Sequence, residues 1–113
     1  MDGSISESIT QCSDMGMTLA SLETTEEILA VTNYIRDELS LATRMYWLSG
    51  QRVVNTWMWM SSGQFITVNN WDTSEPTETG YTNQACVFLY NAKFRDNNCN
   101  SNIHFICEQK DCP

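Results

Sequence analysis

Apolar and polar positions alternate along the chain in two distinct rhythms. From Ser4 to Leu39 the period is helical. Ser4 followed by Glu7 makes a capping-box pattern, and Ile5, Ile9, Cys12 and Met15 then recur on one face. Gly16 stands just past the last turn, where a helix stops. Leu19, Ala20 and Leu22 form a brief apolar connector. Thr24 and Glu27 repeat the capping pattern, and Ile28, Val31, Ile35 and Leu39 follow at helical spacing, with Glu26, Asp37 and Glu38 mostly on the other side. These stripes predict two helices, the second amphipathic and lying on the surface.

After Ala42 the runs become short, bulky and strand-like. Met45 to Leu48 ends at Ser49-Gly50, which reads as a turn. Thr56 to Met60 is closed by Ser61-Ser62-Gly63, and Phe65-Ile66 resumes it as a hairpin. Cys86 to Tyr90 is the clearest strand; Asn91-Ala92 turns it back into Lys93-Phe94-Arg95, and His104 to Cys107 makes the last one. Between the hairpin and Cys86 lies a long polar stretch, Asn69 to Gln84, with almost no apolar anchor. A loop of this length inside a compact domain is usually functional or disordered. Trp71 and Cys86 pin its ends. Helices first and strands afterwards predict an α+β fold with a mainly antiparallel sheet.

Composition narrows the function classes. A length of 113 residues is one domain with a single core. Fourteen acidic against six basic residues leave a net charge of −8. Nucleic acid and anionic membrane surfaces need clustered Lys and Arg, so both are disfavoured. No apolar run approaches the roughly 18 residues of a membrane span. The five cysteines, at positions 12, 86, 99, 107 and 112, contain no CxxC pair, and the only histidine is His104, so a Cys/His zinc site lacks its spacing. A disulfide framework in an oxidising compartment, with one cysteine left over, is the better reading. Four cysteines still permit three pairings. The polar first residues do not look like a signal peptide, so an oxidising compartment implies a mature form or a fragment.

The order of these features resembles a C-type lectin-like domain from about Ser8 to Glu108. The residues that carry the resemblance are Cys12 with MGMTLASLETTEE after it, Trp47-Leu48-Ser49-Gly50, Trp57-Met58-Trp59, Gly63, Trp71, Glu75-Pro76-Thr77, Cys86-Val87, Phe94-Arg95-Asp96, Cys99 and Phe105-Ile106-Cys107-Glu108. The resemblance implies two helices flanking the sheet, a long irregular ligand loop, and the pairings Cys12–Cys107 and Cys86–Cys99. Cys112 has no partner in that pattern and is left free, or for another chain or further sequence. Domains of this family begin with a strand before the first helix; here the chain starts almost at the helix, so that strand is expected to be missing, with 109–113 as a C-terminal tail.

The same resemblance implies a secreted, non-enzymatic module that binds glycans, or a glycoprotein or protein ligand, through a loop calcium. Calcium takes six to eight oxygen ligands, and sugar hydroxyls can replace its waters. The family's ligands are Glu-Pro-Asn, a Glu shortly before the cysteine, and Trp-Asn-Asp. Carried over, the metal ligands are Glu75, Thr77, Gln84 and Asp96, and the ligand-binding set adds Pro76 and Arg95. Three positions depart from the pattern. Thr77 replaces an Asn or Asp, Gln84 replaces a Glu, and Arg95 replaces an Asn with a group that has no lone pair. Arg95 could instead pair with Glu75 or Asp96 and take the calcium position itself, leaving a calcium-independent domain. Asp72 and Glu78 are candidates for auxiliary calcium positions. Glu75 and Asp96 could also be posed as a glycosidase carboxylate pair, but no apolar pocket is in sight to hold one of them protonated.

Overall fold

The computed structural model describes residues 2–38, 44–53, 56–73, 75 and 85–109. Two helices and two sheets make up an α+β fold, mainly antiparallel, as the patterning predicts. Strand β1 (Asp2–Gly3) leads into helix α1 (Ile5–Asp14), whose capping box is complete: Glu7 N–H donates to Ser4 Oγ, and Ser4 N–H to Glu7 Oε1. Strand β2 (Met17–Leu19) follows, then helix α2 (Thr25–Asn33), which winds into a π-helical turn, Tyr34–Glu38. Thr24 caps α2 by accepting from Glu27 N–H. Leu39, expected on the same helix, lies outside the described residues.

The remaining strands are β3 (Met45–Val53), β4 (Thr56–Trp59), β5 (Gln64–Phe65), β6 (Ala85–Tyr90), β7 (Lys93–Asn98), β8 (Ile103–Phe105) and β9 (Cys107–Gln109). The hub is β3, which pairs antiparallel with β4 and β6 and, over Tyr46 and Trp47, in parallel with β8. β7 pairs with β6, β5 with β4 and β1 with β8, while β2 and β9 form a separate two-stranded sheet.

Four sequence expectations are corrected. The strand through Met45 does not stop at Ser49-Gly50 but runs on to Val53. Ser49 is tolerated there because its buried hydroxyl shares a 2.7 Å hydrogen bond with that of Ser21. Gly50 is there because a Cβ would lie 2.6 Å from Val87 Cγ2 on the adjacent strand; it marks close approach rather than a turn. The apolar connector contains β2, paired with β9 through Leu19↔Cys107. The last strand divides at Ile106 between the two sheets, so one short run of sequence ties them together. Finally, a two-residue strand does precede α1, pairing Gly3 with Ile103.

Two apolar clusters fill the fold. One gathers Leu22, Ile28, Leu48, Trp59, Val87 and Phe94; the other joins Ile5, Trp47, Phe88 and Ile103 to the cysteines. Trp47 is fully buried, and its indole N–H is satisfied by the carbonyls of Gly3 (3.0 Å) and Ser101 (3.2 Å). Cys12 is bonded to Cys107, fastening α1 to β9, and Cys86 to Cys99, joining β6 to the chain just beyond β7. Cys112 lies outside the described residues.

Candidate functional site

The site is built on β7 and on the start of the polar loop that runs beside it. Asn91 and Ala92 turn β6 into β7 with φ of 48° and 72°, the positive values a tight hairpin turn demands. Along β7 the side chains alternate: Phe94 and Asp96 are buried on one face, and Arg95 projects from the other.

An aromatic chain anchors the loop to this strand. Trp57 meets Trp71 edge-on at 5.1 Å, Trp71 meets Phe94 at 6.0 Å, and Phe94 meets Trp59 at 5.5 Å. Ring quadrupoles favour such edge-to-face contacts. Backbone bonds then continue the sheet pattern into the loop. Phe94 N–H donates to Asn70 O (2.9 Å) and Asp72 N–H to Phe94 O (2.9 Å); Glu75 N–H donates back to Asp72 O (3.0 Å). Asn70 Nδ2 reaches Ala92 O at 2.9 Å. Asp72 is thereby placed beside Arg95, and Glu75 beside Asp96.

These two placements have opposite electrostatics. Arg95 Nε donates to Asp72 Oδ2 at 2.8 Å, and its guanidinium lies 5.1 Å from the centre of the Tyr90 ring. The bond from Arg95, then that from Thr73 N–H to Oδ1, holds Asp72 below the usual carboxylate range. At the second placement Asp96 is 7% exposed, and its N–H donates to Glu75 Oε1 at 3.1 Å. Burial first, and then the neighbouring Asp96 carboxyl, push Glu75 upward, against the lowering pull of that backbone N–H and of Arg95. Two carboxyl groups that crowd each other in this way share a proton or a cation.

This answers where Arg95 goes. It forms its ion pair with Asp72, not with Glu75 or Asp96, because the alternation of β7 sends it to the face opposite Asp96. Asp72, considered above as an auxiliary metal ligand, has one oxygen bonded to Arg95 and the other to Thr73 N–H. Of the residues expected at the site, Glu75, Arg95 and Asp96 are described; Pro76, Thr77, Glu78 and Gln84 lie outside the described residues. Among the described residues no three of His, Cys, Asp or Glu converge as a metal cluster. The donor chemistry of Glu75 and Asp96 nevertheless fits a hard cation, since a divalent ion would offset the burial that raises Glu75 and its crowding by Asp96. His104 takes no part. It packs against Tyr46 at 5.8 Å and meets Arg44 Nη1 at 3.3 Å through Nε2.

Sequence reasoning missed Asp72 as the partner of Arg95. The only available signal was its position directly after Trp71, which registers it against Phe94-Arg95 once the aromatic contact forms.

Comparison with known proteins agrees with this architecture. The family model of the lectin C-type domain matches residues 2–109. Rat (Rattus norvegicus) E-selectin is 26% identical over 102 residues, which is 83% of this chain but 18% of that protein, so the chain spans less than a fifth of that relative. Among solved structures, the mouse scavenger receptor C-type lectin carbohydrate-recognition domain superimposes with a TM-score of 0.77 at 18% identity, covering 99% of this chain and 86% of that one. Human lithostathine gives 0.81 at 22%, covering 97% and 78%. Identities this low speak for the fold alone. With nearly the whole length matched by the family model, the chain belongs to the C-type lectin domain family.

Proposed function

We propose that this chain is an extracellular, non-enzymatic carbohydrate-recognition module, a single domain over 1–113. The observation that carries this reading is the Glu75–Asp96 pair. Two crowded carboxyls, one of them buried, sit where the polar loop meets β7, with Glu75 accepting from Asp96 N–H. Glu75 and Asp96 would hold calcium, with Thr77 and Gln84 supplying neutral oxygens from the rest of the loop and Pro76 setting its course. When bound, the ion would offer exchangeable coordination positions to neighbouring sugar hydroxyls. Two carboxylates with weaker neutral donors make a low-affinity site, because ligand charge and number set calcium affinity.

One observation favours a second reading, a calcium-independent domain that binds a protein or another ligand on the same surface. Arg95 stands half-exposed beside the pair, held by Asp72 and Tyr90, and contributes a positive charge where a neutral donor would serve a metal better. Passing the oxidised protein over immobilised mannose and galactose separates the readings. Retention in calcium with release by chelator supports the lectin. Flow-through in both conditions, with no heat of calcium binding, overturns it in favour of the second.

A further inference from the structure

A second site lies at the opposite end of the β6–β7 hairpin from Asp96. Between the C-terminal end of α2 and the Asn91-Ala92 turn is a cavity of about 50 Å³, floored by Ile35 and Leu89. That space admits a few waters or a group the size of a carboxylate or sulfate. Arg36 and Arg44 line it, each with part of its guanidinium already engaged: Arg36 Nη2 donates to Asn33 Oδ1 at 2.8 Å, and Arg44 Nη1 meets His104 Nε2 at 3.3 Å. These arginines are two of only six basic residues in a chain of net charge −8, and they arrive from different elements, the π-helical turn and the approach to β3.

Two further features meet at the same place. Thr32 lines the cavity, and its buried hydroxyl has no hydrogen-bond partner among the described residues; such an atom is costly unless something bonds it. The opposite wall is Ala92, a non-glycine residue at φ 72°, held by Asn70 through its carbonyl. π-helical turns such as the one that carries Arg36 are frequent at functional sites.

We propose that this cavity binds a small oxyanion, a carboxylate or sulfate group, between the guanidinium groups of Arg36 and Arg44, with the Thr32 hydroxyl donating the third hydrogen bond. Guanidinium forks match the oxygens of such groups. The apolar floor suits the carbon or sulfur side of the group, so the natural ligand would be a carboxylate or sulfate ester carried on a larger molecule. This site is independent of the Glu75–Asp96 reading and stands or falls without it.

The test is a titration of the isotopically labelled, oxidised protein with sodium acetate and, separately, sodium sulfate, at constant ionic strength set with chloride. The arginine Nε–H resonances and the amides of Thr32 and Ala92 are followed. Saturable shifts at Arg36, Arg44, Thr32 and Ala92, with a dissociation constant on the order of 1 mM for so small a ligand, are expected; Arg52 and Arg95 should stay still. The stronger of the two salts identifies the group. Thr32→Val should weaken binding about 2- to 12-fold and Arg44→Gln about 10- to 150-fold, as loss of a neutral and a charge-assisted hydrogen bond respectively would. Shifts that never saturate, or that move Arg52 and Arg95 equally, overturn the proposal, as does a Thr32→Val protein of unchanged affinity.

Discussion

Gly50 gives the sharpest test of how the scaffold is assembled. An alanine methyl there would stand 2.6 Å from Val87 Cγ2, 2.8 Å from Val87 Cβ and 3.0 Å from Ile66 Cδ1. Val87 is fully buried and β-branched, so it cannot swing aside, and β3 and β6 must part locally. Overpacking of this kind costs about 1–3 kcal/mol. Taking about 2 kcal/mol, and about 3–6 °C per kcal/mol for a domain of this size, the midpoint of thermal unfolding should fall by roughly 6–12 °C. The assay is thermal and urea unfolding with both disulfides intact, for Gly50→Ala, Val87→Ala and the double variant. Val87→Ala removes the 2.6 Å contact with Cγ2 but keeps the Cβ at 2.8 Å, so Gly50→Ala should cost less, though not nothing, in that background, a coupling of about 0.5 kcal/mol or more. A neutral Gly50→Ala, or an equal cost in both backgrounds, would show that Gly50 occupies an ordinary turn and that β3 does not run through it.

Other consequences are testable alongside. Burial and Asp96 raise Glu75 in the folded protein, so without metal the folded state holds that proton more tightly than the unfolded one, and stability declines as pH rises past the ordinary Glu range. Glu75→Gln should remove this decline in metal-free chemical denaturation between acid and neutral pH; identical slopes for both proteins would contradict the pairing. Asp72 has the opposite sign. Its lowered value adds stability above the usual carboxylate range that is lost on acidification, so Asp72→Asn should flatten the acid limb of the same curve. Replacing both Cys12 and Cys107 by Ser opens a closure of 95 residues and should cost about 4–5 kcal/mol, against about 3 for the 13-residue closure of Cys86 and Cys99, in the chain-entropy estimate. Denaturant midpoints in the reverse order would refute the attribution to loop closure. Arg95→Asn with Thr77→Asn should create or strengthen calcium binding by calorimetry, and no change would show that the loop residues are misassigned.

Much of the fold was legible because the sequence is punctuated by residues with few possible uses. Cap residues at Ser4 and Thr24, the strand at Cys86 and the turn at Asn91-Ala92 all appear where their local chemistry places them. Local chemistry failed where a long-range contact overrode it. Ser49-Gly50 looks like a turn until Ser21 and Val87 come to lie against it, and those partners are 28 and 37 residues away. The division of the last strand at Ile106 likewise reflects two sheets competing for one segment. At the candidate site, the motif proposes Glu75 and Asp96, which the structure brings side by side, but the fate of Arg95 could not be read. It depends on the register between the loop and β7, which the Trp71–Phe94 contact sets.

The proposed function rests on the Glu75–Asp96 pair binding calcium, and calorimetric titration of calcium into the oxidised protein tests this most directly. Run near pH 5 in two buffers of different ionisation enthalpy, the wild type should bind weakly and release a proton as the metal takes the place Glu75 shares with Asp96, and Asp96→Asn should abolish binding. No heat of binding in the wild type, or binding that survives Asp96→Asn unchanged, would contradict the account.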